Sequence, residues 1–353
     1  MINKTNIIGL MSGSSLDGID LVDVDFWHDG KWHFEIVAKD NYDYNDDWKQ
    51  RLSDAFYYDH NQLKDIDYQY GAFLGKVTKR FIDKYNLHPE IVASHGHTIF
   101  HRPQEHYTLQ IGDGQALANE CGITVINDFR TEDVLKGGQG APLVPIGDKL
   151  LFADYPICLN IGGIANVSYD VEGQRIAYDI CIANQVLNYL SNRLSLPYDK
   201  DGHIARDGNI DNQLLTTLNS HPFYTEKYPK SLGREFFEEN IKPLLEKRDD
   251  IADMMATFVE HIAMQIAKSI DSQLISQLLI TGGGAKNKYL VERIQAHTKH
   301  QVVVPADDII DYKEALVFAF LGLLRSRNEI NVLKSVTGAK SDSSSGKIIQ
   351  PNR

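Results

Sequence analysis

Three groups of residues have the types and spacing to do chemistry: glycine-rich turns, carboxylates near strand ends, and one histidine-rich stretch. In Ser12-Gly13-Ser14-Ser15 backbone N–H groups can face an anion, and the missing Cβ lets a phosphate approach. Gly162 and Gly163 offer the same later in the chain. Gly282, Gly283 and Gly284, followed by Ala285-Lys286-Asn287, read as a strand entering a helix, whose start adds free amides and a favourable dipole. Neither a P-loop nor G-x-G-x-x-G occurs, so the common mononucleotide and dinucleotide fingerprints are absent. Two matched turns and a triple glycine still favour a nucleotide.

Among the carboxylates, Asp179 closes the run Ile176-Ala-Tyr-Asp179, where the pattern predicts that a loop begins. A carboxylate at the end of a buried strand can act as a general base once burial raises its pKa. Asp17 and Asp20 flank Gly18 and Asp113 precedes Gly114, so turn formation explains these equally well. His95, His97, His101 and His106 carry imidazoles, the commonest metal ligands, yet no Asp or Glu stands among the first three and no H-E-x-x-H occurs. Lining a polar pocket is the competing reading. Arg130 can clamp a carboxylate bidentately, where Lys is a poor substitute, or form an ion pair with Glu132 or Asp133.

These residues need elements to hold them. The sequence predicts strands over Asn6–Leu10, Ile19–Phe26 and Trp32–Ala38, the second by its period-2 alternation, with Gly30 turning the second into the third. Leu63, Ile66, Tyr70, Phe73, Leu74, Val77 and Phe81 mark one face of a helix, and Ile91–Ser94 a short buried strand. The second half repeats this grammar: Pro156–Asn160, a glycine turn, Val167–Tyr169, a helix from about Asp250 to Leu274 capped by Asp249 or Asp250, then Gln277–Thr281 and glycines. A duplication is therefore expected, with unequal insertions. The tail after Val336 is small and polar, and is expected to fray.

Composition bounds the function. The chain has 353 residues, a soft expectation of two domains, and a net charge of −12 without any basic block. That argues against sequence-independent binding to nucleic acid or anionic lipid. The longest apolar run, Ala315 to Leu324, falls well short of the roughly 20 residues of a membrane helix, and no secretory signal is visible. Cys121, Cys158 and Cys181 read as buried thiols of a reducing compartment, so a cytoplasmic protein is expected.

Gly9-Leu-Met-Ser-Gly-Ser-Ser-Leu-Asp-Gly-Ile-Asp20 resembles the opening signature of anhydro-N-acetylmuramic acid kinases. Further motifs match in order: His95-Gly-His-Thr98, Gln110-Ile-Gly-Asp-Gly114, Asp128-Phe-Arg130, Gly137–Pro145, Asn160–Asn166, Tyr198–Gly202, Pro229-Lys-Ser-Leu-Gly-Arg-Glu235, Gly282–Ala285 with Asn287, and Glu314-Ala315. The resemblance implies an α/β fold of two duplicated actin-like ATPase (ribonuclease H-like) domains closing on ATP in a central cleft. Residues 1–128 plus 312–353 would form the first domain and 129–311 the second. It implies that water opens 1,6-anhydro-N-acetylmuramic acid and that O6 takes the γ-phosphoryl of ATP, with Asp179 as the catalytic base. Ser12, Gly13, Ser14, Ser15, Asp17, Gly162 and Gly163 would hold the phosphates, with Mg²⁺ carried by the phosphates rather than by a protein metal site. Gly282, Gly283, Gly284, Ala285 and Asn287 would frame the adenosine; His95, Arg130, Asn184 and Glu314 would contact the sugar. His97 stands where the family usually has Gln. A homodimer is suggested.

One stretch departs from the pattern. After the aspartate the family usually reads Thr-Gly-Pro-Gly-Asn; here the order is Asp179-Ile-Cys-Ile-Ala-Asn184. A non-catalytic or altered-specificity sugar or nucleotide binder is the alternative that this loop raises. A metal-dependent hydrolase built on the histidines is the third.

Overall fold

The computed structural model describes residues 4–13, 16 and 18–352. They divide into two compact units, one within residues 1–151 and 312–353, the other Phe152–Asp311. The expected boundary at 128 is displaced: residues 129–151 pack with the first unit. Phe129 lies against Phe318 at 5.7 Å between ring centroids, and the buried Asp148 carboxylate meets Lys313 at 2.7 Å.

The strands in chain order are β1 (Thr5–Ser12), β2 (Gly18–His28), β3 (Trp32–Asp43), β4 (Ile91–Ser94), β5 (His97–Arg102), β6 (Tyr107–Ile111), β7 (Thr124–Asn127), β8 (Ile157–Ile161), β9 (Ile164–Val171), β10 (Gln174–Ile182), β11 (Gln277–Thr281), β12 (Gln301–Val303) and β13 (Lys347–Ile349). The first unit's main sheet has the order β13-β7-β4-β1-β2-β3, and the second unit's β10-β9-β8-β11-β12. Reversed, the second order matches β7-β4-β1-β2-β3 strand for strand. In both, an antiparallel three-strand meander is followed by parallel partners. This is the duplicated ribonuclease H-like, actin-like arrangement, and it appears in each unit without detectable repetition of residues.

Local chemistry explains the elements that hold the site. The helix His60–Tyr85 starts at a capping box between Asp59 and Gln62, buries Ile66, Tyr70, Leu74, Val77 and Phe81, and ends at a left-handed Asn86. Gly9 on β1 admits the helix Asp307–Ser326, because a Cβ there would stand 2.0 Å from the Ala315 carbonyl oxygen. In the second unit the helix Ile251–Ile270 buries Met255, Phe258, Ile262, Ile266 and Ile270. Its first turn has no side-chain cap; Asp250 turns to Arg248 instead.

The tail does not fray. Its strand β13 pairs antiparallel with β7, and Asn331 donates to the Leu321 and Ser345 carbonyls while accepting from the Ser345 N–H. Small polar residues fit here because their hydrogen bonds are satisfied inside. No helix among the described residues is long and apolar enough to cross a membrane.

Candidate active site

Asp179 lies within β10, three residues before its end, and not at a strand-to-loop junction. Ile180, Cys181 and Ile182 continue the strand into the core. The register slips between Asp179 and Cys181, a bulge of the kind that re-aims a side chain beside an active site. Pairing sets Asp179 opposite Asn166, Asn166 opposite Asn160 and Asn160 opposite Thr281. Directly paired residues share a face, so the catalytic candidate heads a polar row across four strands. The Leu232 N–H donates to Asp179 Oδ2 at 2.8 Å, and the Asp179 N–H donates to the Lys230 carbonyl at 3.2 Å. Burial raises the Asp179 pKa above the ordinary carboxylate range, and the Leu232 donor opposes that rise.

The glycines near this row fall into two classes. At Gly162, Gly163 and Gly283 an added Cβ would meet nothing closer than 3.7 Å, so packing does not demand glycine there. At Gly282 (φ +78°) and Gly284 it would stand 2.6 Å from Asn160 Oδ1 and 2.3 Å from Ile161 Cγ2, so the fold itself demands it. Asn184 joins these segments: its Nδ2 donates to the Ile161 carbonyl, its own N–H donates to the Gly162 carbonyl, and Gly283 lies beside it. The Ala183 N–H donates to the Gly163 carbonyl at 2.8 Å. The result is an open cradle over Gly162, Gly163 and Gly283, suited to the close approach of a phosphate. Gly282–Ala285 makes a short turn rather than a direct strand-to-helix junction. Asn287 caps the helix Lys288–His297 by accepting from the Leu290 N–H.

In the first unit His95, Arg130 and Glu314 gather. The His95 Nδ1–H donates to the Gly96 carbonyl, leaving Nε2 to accept from Arg130 Nε and Nη2 at 3.0 and 2.9 Å. Two donors from one cation need a neutral imidazole, and burial holds the His95 pKa well below its usual value, with Arg130 adding to the effect. Arg130 also donates to the Gly140 carbonyl at 2.6 Å. Neither expected ion-pair partner takes it: Glu132 pairs with Lys136, and buried Asp133 accepts from the Gly140 N–H and the Thr337 hydroxyl. Among the described residues the guanidinium therefore bonds to neutral acceptors only. Burial lowers its pKa to about 10, while the Glu314 charge works the other way. Glu314 is open to solvent and close enough to Arg130 for the opposite charges to favour each other.

The histidine stretch is dispersed. His97 Nδ1 lies 3.1 Å from Ser12 Oγ, His101 pairs with Thr108, and the His106 Nδ1–H donates to the Val134 carbonyl. No three His, Cys, Asp or Glu side chains gather among the described residues. The Ser12 hydroxyl is buried and spent on Tyr44, Tyr70 and His97. Ser12 thus contributes backbone, not side chain, to the first turn. Ser14, Ser15 and Asp17 lie outside the described residues. Asp113 caps the helix Gly114–Cys121, as a turn former would.

The family model for anhydro-N-acetylmuramic acid kinase matches residues 5–351. The chain is also 35% identical to an anhydro-N-acetylmuramic acid kinase of Mannheimia succiniciproducens, over 98% of this chain and 99% of that protein. Against its namesake in Pasteurella multocida it is 35% identical, over 97% and 96%. The chain belongs to the anhydro-N-acetylmuramic acid kinase family. Among solved structures it is similar to the activator of 2-hydroxyisocaproyl-CoA dehydratase from Clostridium difficile, at 15% identity, TM-score 0.46 and 92% and 97% coverage.

Within this kinase family framework, the sequence reading missed several contributors. Tyr70 signalled only as a helix hydrophobe and Tyr44 gave no signal, yet both bond the Ser12 hydroxyl. Asn160 and Asn166 stood in a quoted motif without a role, and pairing register alone reveals the row. The Leu232 amide has no residue-type signal at all, since any residue but proline supplies an N–H.

Proposed function

We propose that the protein is an ATP-dependent anhydro-N-acetylmuramic acid kinase. It opens 1,6-anhydro-N-acetylmuramic acid with water and phosphorylates O6, a step of cell-wall sugar recycling. The observation that carries the chemistry is the half-buried Asp179 carboxylate, held by one N–H in a bulged strand, its pKa raised by burial. Asp179 takes a proton from water as the oxygen adds to C1; the C1–O6 bond breaks; O6 bonds to the γ-phosphorus, and ADP leaves. Phosphoryl transfer is mostly positioning and charge neutralisation. In the second unit Gly162, Gly163 and, in place of its expected adenosine role, Gly283 would accept the triphosphate at close range; Ser12, Gly13, Ser14, Ser15 and Asp17 would be the first unit's phosphate-binding residues. The remaining adenosine contacts fall to Gly282, Gly284, Ala285 and Asn287. Mg²⁺, carried on the phosphates, supplies charge neutralisation.

Arg130 would bind the lactyl carboxylate. A half-buried guanidinium bonded, among the described residues, only to neutral acceptors retains its charge for an anion, and neutral His95 orients it. Glu314 and Asn184 would contact sugar hydroxyls. The departure after Asp179 has a structural account: Ile180, Cys181 and Ile182 are core residues of β10. No observation favours a binding-only protein. A homodimer and a cytoplasmic location belong to the same reading. The test is ADP release from Mg·ATP with and without the anhydro sugar: sugar-dependent ADP and a 6-phosphosugar are expected, and folded protein giving no ADP above the sugar-free control would overturn it.

A further inference from the structure

On the face of β10 opposite Asp179 the second unit has a cavity of about 600 Å³. Successive strand residues point to opposite faces, so Tyr178 lines this cavity while Asp179 points away from it. Tyr228 stacks on Tyr178, centroids 5.9 Å apart and 13° from parallel, and is itself nearly half exposed, so a ring surface stays open. Three lysines line the cavity, Lys227, Lys230 and Lys268, against one acid, Glu226. Lys230 Nζ donates to the Phe223 carbonyl at 3.0 Å and Lys268 Nζ to the Tyr224 carbonyl at 3.3 Å. None of the three forms an ion pair among the described residues. Burial lowers the Lys230 pKa; the Glu226 charge opposes that fall and the nearby Lys268 charge adds to it.

Like-charged ammonium groups held by neutral carbonyls beside an open aromatic ring suit a ligand with a dianionic head and a compact ring. We propose that this cavity binds a small phosphorylated sugar, the class of the reaction's own product, and so gives the enzyme a second site. The naming of the product class rests on the function proposed above; the cation and ring arrangement does not. Occupancy would be felt at the catalytic strand. Lys230 contributes its side chain to the cavity and its carbonyl to the Asp179 N–H, and Leu232, two residues on, holds the Asp179 carboxylate. A ligand that pulls on Lys230 therefore shifts the segment that sets the base, and the expected result is inhibition not relieved by more sugar substrate.

The test is calorimetric titration of the full chain with N-acetylmuramic acid 6-phosphate, alongside N-acetylmuramic acid and inorganic phosphate. Two binding classes per chain are expected. Lys227→Ala/Lys268→Ala, changing two exposed side chains, should weaken one class by about tenfold or more, since each charged hydrogen bond carries roughly that factor. Turnover of this variant without added product should stay within about twofold of wild type. Arg130→Met should keep the lysine-dependent class. A single class, or a second class indifferent to the lysine changes, would overturn the site; phosphate alone binding as tightly as the ester would overturn its assignment to a sugar. Binding is read without turnover, so a failure of the kinase reading would appear separately, as absent ADP release.

Discussion

The two units share one strand order and use it in opposite ways. In the first, the end of β1 is filled: the Ser12 hydroxyl is enclosed by Tyr44, Tyr70 and His97, and the charged candidates stand elsewhere, with Arg130 held by His95 and feeling the Glu314 charge. In the second, the equivalent strand β8 runs into Gly162 and Gly163, where a Cβ would meet nothing closer than 3.7 Å, and the proposed base is one carboxylate on the meander's third strand. A duplicated scaffold thus divides its labour. In the proposed function one copy would supply recognition by filled, preorganised polar contacts, and the other space and a base.

Changing the base should break that division most severely. Asp179→Asn removes the proton acceptor while keeping shape and the Leu232 hydrogen bond; kcat should fall about a thousandfold, with ATP affinity by calorimetry unchanged. The wild-type rate should decline with falling pH at a midpoint above the usual carboxylate range, because protonation at the raised pKa disables the base. On the recognition side, Arg130→Lys should raise the sugar KM by roughly ten- to a hundredfold and leave the ATP KM within about twofold, because Lys cannot reproduce the fork.

The cradle offers a sharper contrast. Gly163→Ala should leave the melting temperature unchanged and raise the ATP KM several-fold. Gly284→Ala should cost about 1–3 kcal/mol of stability by driving a methyl into Ile161. Equal effects of the two would erase the distinction between space kept for ligand and space required by packing. The smallest effect lies in the filled network. Burial lowers the His97 pKa to about 4, below the usual 6.5, so the unfolded chain binds more protons between those values. Stability held above pH 6.5 is therefore lost as pH falls toward 4, by up to about 1.4 kcal/mol per pH unit. His97→Gln should flatten that slope by urea titration across pH 4–7, at a cost of roughly 1 kcal/mol at neutral pH.

How much of this the sequence revealed depends on range. The helix His60–Tyr85 and the strands β1, β2, β4 and β11 were legible, because apolar period and local turn residues determine them. Long-range closure was not. The polar tail seemed fit to fray until β7 and Asn331 provided its partners, and residues 129–151 went to the wrong unit because their contacts, Phe318 and Lys313, lie far along the chain. At the candidate site, type and motif single out Asp179, but its place inside β10 is hidden: Ile-Cys-Ile reads equally as loop filler or strand. The grouping of His95 with Arg130 needed coordinates, as did the separation of open from obligatory glycines.

The most direct measurement follows oxygen. Turnover of the anhydro sugar with Mg·ATP in ¹⁸O-enriched water, read by mass spectrometry against unlabelled product held in the same water, should place one ¹⁸O on the sugar's anomeric carbon and none on its phosphate. Label on phosphate, or a phosphosugar without label at that carbon, would show that water activated by Asp179 is not what opens the bridge.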